Sequence, residues 1–149
     1  VRAPFQVLVL PFRHTPAGTE YAVLKRSDDG YWQFVADDGE DDESPEEAAC
    51  REAKEETGLI GDLMPLDSYS TVPKSCFADA DSWGADVFVI PQHCFALDAG
   101  SSAIVLSSEH TEIRWLSYVE ATGLLKWDSN RNALWELNDR LRAPKANRS

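Results

Sequence analysis

The chain is poor in cysteine. Cys50, Cys76 and Cys94 are an odd number, far apart, with no paired short spacing. That argues against a disulfide framework and a thiolate zinc site, and makes a reducing cytoplasm the expected compartment. Long apolar runs are missing too. Residues 7–10 and 87–90 fall far short of the roughly 20 residues that a membrane helix needs, so no membrane partner is expected. Residues 5–12 are apolar but bracketed by Pro4 and Pro11, with no small-residue cleavage site after them, so they read as a strand and not a signal peptide. Basic residues are scarce: 14 Lys and Arg stand against 26 Asp and Glu, a formal net charge of −12. Nucleic acid is not an expected partner, because its binders need a basic stripe. Internal repeats and linkers are absent, so the 149 residues are expected to form one domain over 1–149, with a frayed tail over 142–149. The oligomeric state is left open.

What the chain does have is acid in one place. The window 37–62 holds twelve acidic residues against Arg51 and Lys54, which is −10 of the −12. A solvated helix face accounts for part of that imbalance, but not for its confinement to one window. The remaining composition is ordinary for a globular protein, with 43% apolar and 27% charged residues.

Patterning predicts strands over 5–13 and 21–25, joined by a turn at 15–18, and a strand-like aromatic stretch over 31–35. Residues 36–43 read as an acidic loop. Ser44 then opens a helix that runs to Thr57: it is the N-cap, Pro45 takes the first helical position, Glu47 completes a capping box, and Gly58 ends the helix. Strands are predicted over 63–72, 86–95 and 111–116, with a short one over 104–106. Ser117 and Glu120 form a second capping box, for a helix ending near Gly123. A last helix over 129–141 carries Leu134, Leu137 and Leu141 at helical spacing. Trp115 and Trp135 are expected in the core. This order of elements fits an α/β fold, a mixed sheet flanked by helices.

On the first helix, Glu52, Glu55 and Glu56 stand at i, i+3 and i+4 and share one face. Like charges at those spacings repel. Arg51 reaches toward Glu47 and Glu55 and offsets only part of this. Three carboxylates on one rigid face suit a hard divalent cation such as Mg²⁺, which takes oxygen ligands and normally shares its site with substrate phosphates.

From Trp32 the chain reads WQFVADDGEDDESPEEAACREAKEETGL. This resembles the Nudix box of the Nudix hydrolases, with Glu43, Arg51, Glu52, Glu55, Glu56, Gly58 and Leu59 at the required spacing. Two departures stand out: Asp37 holds the place of the leading glycine, and Asp42 replaces the glycine usual before the first glutamate. Glycine in such a loop serves positive φ or close backbone approach, and Asp tolerates left-handed geometry better than most residues. The resemblance implies a Nudix-type α/β/α sandwich. It also implies hydrolysis of a nucleoside diphosphate linked to another group, with a metal that neutralises phosphate and activates water. By position, Glu52 and Glu56 become metal ligands and Glu55 a ligand or water activator. Arg51 orients the cluster, Glu43 braces the loop, and the Ala36 carbonyl is a further candidate ligand. Mg²⁺ is the implied cofactor, with Mn²⁺ as a substitute.

The segments KRSDDGYWQFVA, LSSEHTEIRWLS and LLKWDSNRNALWEL are similar to bacterial dihydroneopterin triphosphate pyrophosphohydrolases. That resemblance implies a role for Glu109 at the metal and in catalysis, and substrate binding by Arg2 and Lys25. It implies a pterin triphosphate or nucleotide as the small-molecule substrate. A broad nucleoside triphosphate pyrophosphatase, or a Nudix-like binding domain with weakened catalysis, are the alternatives. Trp32 and Trp127 are candidates to stack a ring, Trp83 to cover the site, and Lys74 to meet phosphate. His110 is expected to be structural.

Overall fold

The computed structural model describes residues 2–77 and 80–142. Its centre is β1 (Arg2–Thr15), in which Val7, Leu8, Val9 and Leu10 are all fully buried. An uninterrupted apolar run is the mark of a strand covered on both faces. On one edge β1 runs parallel to β6 (Val89–Asp98), from Gln6 opposite Gln92 to Phe12 opposite Asp98. On the other edge it has two antiparallel partners in succession. Its last residues form a hairpin with β2 (Gly18–Arg26), and residues 2–9 pair with β4 (Val35–Glu40). Short β3 (Trp32–Gln33) joins β2, so residues 32–40 fill the gap where β1 and β2 part. The sheet is completed by β5 (Leu63–Pro73) beside β6, and by β7 (His110–Leu116) beside β2.

Alternation along these strands makes two cores. Val7, Val9, Leu24, Val35, Phe95 and Leu97 face α1 (Pro45–Thr57) and bury its Ala48, Ala49 and Ala53. Leu8, Leu10, Tyr21, Val23, Phe34 and Ala96 face the opposite way, toward α2 (Tyr118–Leu124) and α3 (Asp128–Arg142). The result is the expected α/β/α sandwich around a mixed sheet. Both predicted capping boxes form, at Ser44 with Glu47 and at Ser117 with Glu120, and Gly58 closes α1 at φ +73°.

Four expectations need correction. Residues 36–40 are strand, not loop, because β1 offers them an unpaired edge. Residues 104–106 form no strand; the Val105 N–H instead donates to the Thr57 carbonyl at 2.9 Å, which ties that segment to the end of α1. The sixth strand starts at Val89, since Gly84 at φ +100° turns the chain just before it. Trp135 is 59% exposed, because Leu134 and Leu137 already occupy the inward stripe of α3. As for the tail, Arg142 is the last residue of α3, and 143–149 lie outside the described residues. No helix among the described residues is long and apolar enough to cross a membrane.

Candidate active site

The carboxylates of α1 divide by exposure. The Glu52 and Glu56 side chains are almost wholly buried, whereas Glu55 lies at the rim with about half its surface free. Arg51 holds them in place. Its Nε and Nη2 donate to the two Glu43 oxygens at 2.8 and 2.9 Å, its Nη2 donates to the Asp38 carbonyl at 3.1 Å, and its Nη1 donates to Glu55 at 3.2 Å and to Glu52. One guanidinium therefore ties α1 to β4 and to the turn between them, and a planar five-donor fork is what such a junction requires. Glu43 also accepts from the Glu40 N–H at 2.8 Å, and the Arg51 guanidinium holds its carboxyl below the usual range. Glu43 thus braces the loop, as its place in the motif implies.

Burial pushes the Glu52 carboxyl up to about 8, and the nearby Asp37 charge adds to the rise against the pull of Arg51. Its Oε2 is buried without a hydrogen-bond partner. The turn before β7 closes over Glu56. Ser107 Oγ donates to Glu56 Oε2 at 2.8 Å, and His110 Nδ1 lies 3.0 Å from the same oxygen. Burial raises the Glu56 carboxyl, but His110 and Ser107 outweigh it and leave Glu56 below its ordinary value. Glu109 meets Glu56 carboxyl to carboxyl; burial, then the charges of Glu56 and Asp37, push Glu109 up. The Glu109 backbone is pinned to the end of β2, where the Ser27 N–H and Oγ donate to its carbonyl at 2.9 and 3.0 Å.

The structure thus brings Arg51, Glu52, Glu55, Glu56 and Glu109 to one place, although Glu109 is far from the others in sequence. It does not bring Arg2 and Lys25 there. Arg2 Nη1 is 2.5 Å from Asp38 Oδ2, at the start of β1. Lys25 alternates with the inward Leu24, so it stands on the sheet face away from α1, beside Trp32. Trp32 is buried under Arg114 and Trp127 packs edge-on to Tyr31, whereas the Trp83 indole N–H donates to the Arg2 carbonyl at 2.9 Å. Lys74 lies over the Phe88 ring. Two residues at the cluster escaped the sequence reading, and a third, His110, was named without its contact. Ser107 carries no signal of its own. Arg26 comes near Glu109 while bidentate to Asp28, and only a count of strand parity from Leu24 would have turned it toward α1. His110 was expected to be structural, and its contact with Glu56 needs the fold.

A cleft of about 470 Å³ lies past the N-terminus of α1, lined among others by Ser44, Pro45, Tyr69 and His93, and does not include Glu52, Glu55, Glu56 or Glu109. Among the described residues no three acidic, histidine or cysteine groups converge tightly enough to hold one ion. The donor set nevertheless suits a hard divalent cation: it is all carboxylate oxygen, it includes the partnerless Glu52 Oε2, and it packs Glu56 against Glu109 where only a proton or a cation relieves the repulsion.

A family model described as the NUDIX domain matches residues 7–136. A Nudix hydrolase of Listeria monocytogenes has a solved structure similar to this one, with a TM-score of 0.84, 46% identity, and coverage of 94% of this chain and 95% of that one. The dihydroneopterin triphosphate diphosphatase of Escherichia coli is 29% identical over 114 residues, which are 74% of this chain and 76% of that enzyme. The solved structure of the Escherichia coli dihydroneopterin triphosphate pyrophosphohydrolase superposes with a TM-score of 0.73 at 26% identity, covering 92% and 97% of the two chains.

Proposed function

We infer the reaction from the family: this chain belongs to the Nudix family, and it is a hydrolase that acts on pyrophosphate bonds. Nudix enzymes generally use divalent metals. The substrate proposed here is dihydroneopterin triphosphate or a related nucleoside triphosphate, the cation is Mg²⁺ with Mn²⁺ as a substitute, and the products are the monophosphate and pyrophosphate. The observation that carries this reading is the burial of the Glu52 and Glu56 side chains beside Glu109, with Glu52 the one of the three that Arg51 contacts. An uncompensated buried carboxylate costs several kcal/mol, roughly, unless a proton or a cation neutralises it, and the cation reading supplies that charge.

Glu52, Glu56 and Glu109 would hold the ion. When bound, it supplies charge neutralisation of the phosphates and a more acidic water. Glu55, exposed at the rim, is the group placed to take the proton of the attacking water. The water oxygen bonds to a phosphorus of the anhydride, that phosphorus loses its bridging oxygen, and pyrophosphate leaves. Arg51 keeps Glu52 and Glu55 in register. Arg2 and Lys25 are proposed to contact the substrate. They would do so from outside the carboxylate cluster, at the start of β1 and at the end of β2.

The test is a substrate panel with Mg²⁺ and with Mn²⁺, scored for pyrophosphate against monophosphate release. Pyrophosphate from dihydroneopterin triphosphate, abolished by chelation, is the expected result. Preference for other triphosphates by orders of magnitude would replace the pterin reading, and no metal-dependent release from any of them would end it.

A further inference from the structure

We propose that Asp37 is a cation-ligating carboxylate of this site, supplied by the strand beneath α1 at the place where the family motif has glycine. The proposal rests on reading the carboxylate cluster as a cation site. In β4 the side chains alternate: Val35 packs in the core under α1, and Gly39 lies against Phe5 of the same core. Asp37 stands between them and therefore faces α1, whereas Asp38 faces the other way and meets Arg2. On the α1 side Asp37 acts on the buried carboxylate of Glu52, whose Oε2 is fully buried and has no hydrogen-bond partner. The charge of Asp37 acts on both Glu52 and Glu109. Asp37 Oδ1 accepts its neighbour's N–H at 2.8 Å, and no cation of a described residue lies within ion-pair distance of the side chain.

The available positive charge is already committed. Arg51 is shared among Glu40, Glu43, Glu52 and Glu55, and Arg26 is held by Asp28. A half-buried carboxylate added to such a cluster raises repulsion, and among the described residues no arginine or lysine pairs with it. The backbone offers no other reason for an aspartate, since Asp37 is in extended strand geometry and not left-handed. A divalent ion supplies the missing charge, and Asp37 gives it an oxygen from β4 opposite the oxygens from α1. Such a site would take up the ion without needing substrate phosphates to complete it.

The experiment is Mn²⁺ binding followed by electron paramagnetic resonance, in the absence of any substrate, on the intact chain. Asp37→Asn keeps volume and shape and removes the charge, and Asp37→Gly restores the motif residue. Both should bind Mn²⁺ at least about tenfold more weakly, the scale of one lost charge contact near a protein surface. The melting temperature of metal-free Asp37→Asn should hold or rise, which separates lost binding from lost folding. Asp62→Asn, an exposed acid outside the cluster, should bind as the parent does. Unchanged Mn²⁺ affinity in the Asp37 variants, or an equal loss in Asp62→Asn, overturns the proposal while leaving the cation site standing. Failure of the parent chain itself to bind Mn²⁺ overturns both.

Discussion

Glu52 is where one residue's environment sets a measurable property of the protein. Its carboxyl is raised to about 8 by burial and by Asp37, so the folded state holds that proton more tightly than the unfolded chain does. The stabilisation is complete below the ordinary glutamate range and is lost as pH rises through about 8. The melting temperature of metal-free protein should therefore fall across that window, and Glu52→Gln should flatten the slope; parallel slopes in thermal melts would contradict it. Gly39 is constrained differently. A Cβ there would stand 2.1 Å from Phe5 Cζ, with the ring lying over the glycine. Gly39→Ala should cost about 1–3 kcal/mol, the range for overpacking, measured by denaturant unfolding, and Phe5→Leu in the same chain should recover part of it. The left-handed residue of the acidic segment is Asp41, at φ 50°, and neither of the two aspartates that replace motif glycines. Those replacements therefore cost no backbone strain, which the sequence could not show because φ depends on where β4 ends.

Elements are held at their ends and at their irregularities. The capping box at Ser44 was legible because its signal is local, a serine and a glutamate three residues apart beside a proline. Ser44→Ala should lose about 1 kcal/mol of stability while leaving hydrolysis per folded molecule unchanged, since the carboxylates lie further along α1. The bulge in β5 had no such signal. Between Pro65 and Tyr69 its pairing with β6 is interrupted, and the freed Asp67 and Ser68 N–H groups both donate to Glu136 of α3 at 2.6 Å. Arg140 donates to the same carboxylate at 2.7 Å, and these bonds hold Glu136 below its usual value despite burial. Glu136→Ala strands two backbone donors and should destabilise by about 1–3 kcal/mol. An unchanged unfolding midpoint would show that water replaces the carboxylate.

At the scale of the whole molecule, charge dominates. A net −12 with most of it in one window means that the metal-free protein repels itself. Monovalent salt should raise its melting temperature modestly, because surface repulsion is screened over about 10 Å at 0.1 M. Mg²⁺ at equal ionic strength should raise it further through binding to the folded state alone, and Glu56→Gln should lose most of that excess. Equal shifts from the two salts, or an undiminished Mg²⁺ response in the variant, would argue against ion binding at the cluster.

The sequence alone determined a first strand over residues 5–13, the capped helix α1, and the shared helical face of Glu52, Glu55 and Glu56. Each of these depends on residues within one or two turns of one another, so periodicity and spacing suffice. The Nudix box was legible for the same reason. Only the tertiary structure decided that residues 36–40 would be a strand, because their partner is the distant edge of β1. It alone brought Glu109, Ser107 and His110 onto Glu56, turned Asp37 toward α1, and left Arg2 and Lys25 outside the cluster. Those outcomes rest on sheet register and on which face of the sheet a residue meets, and a shift of one residue in register reverses every such face.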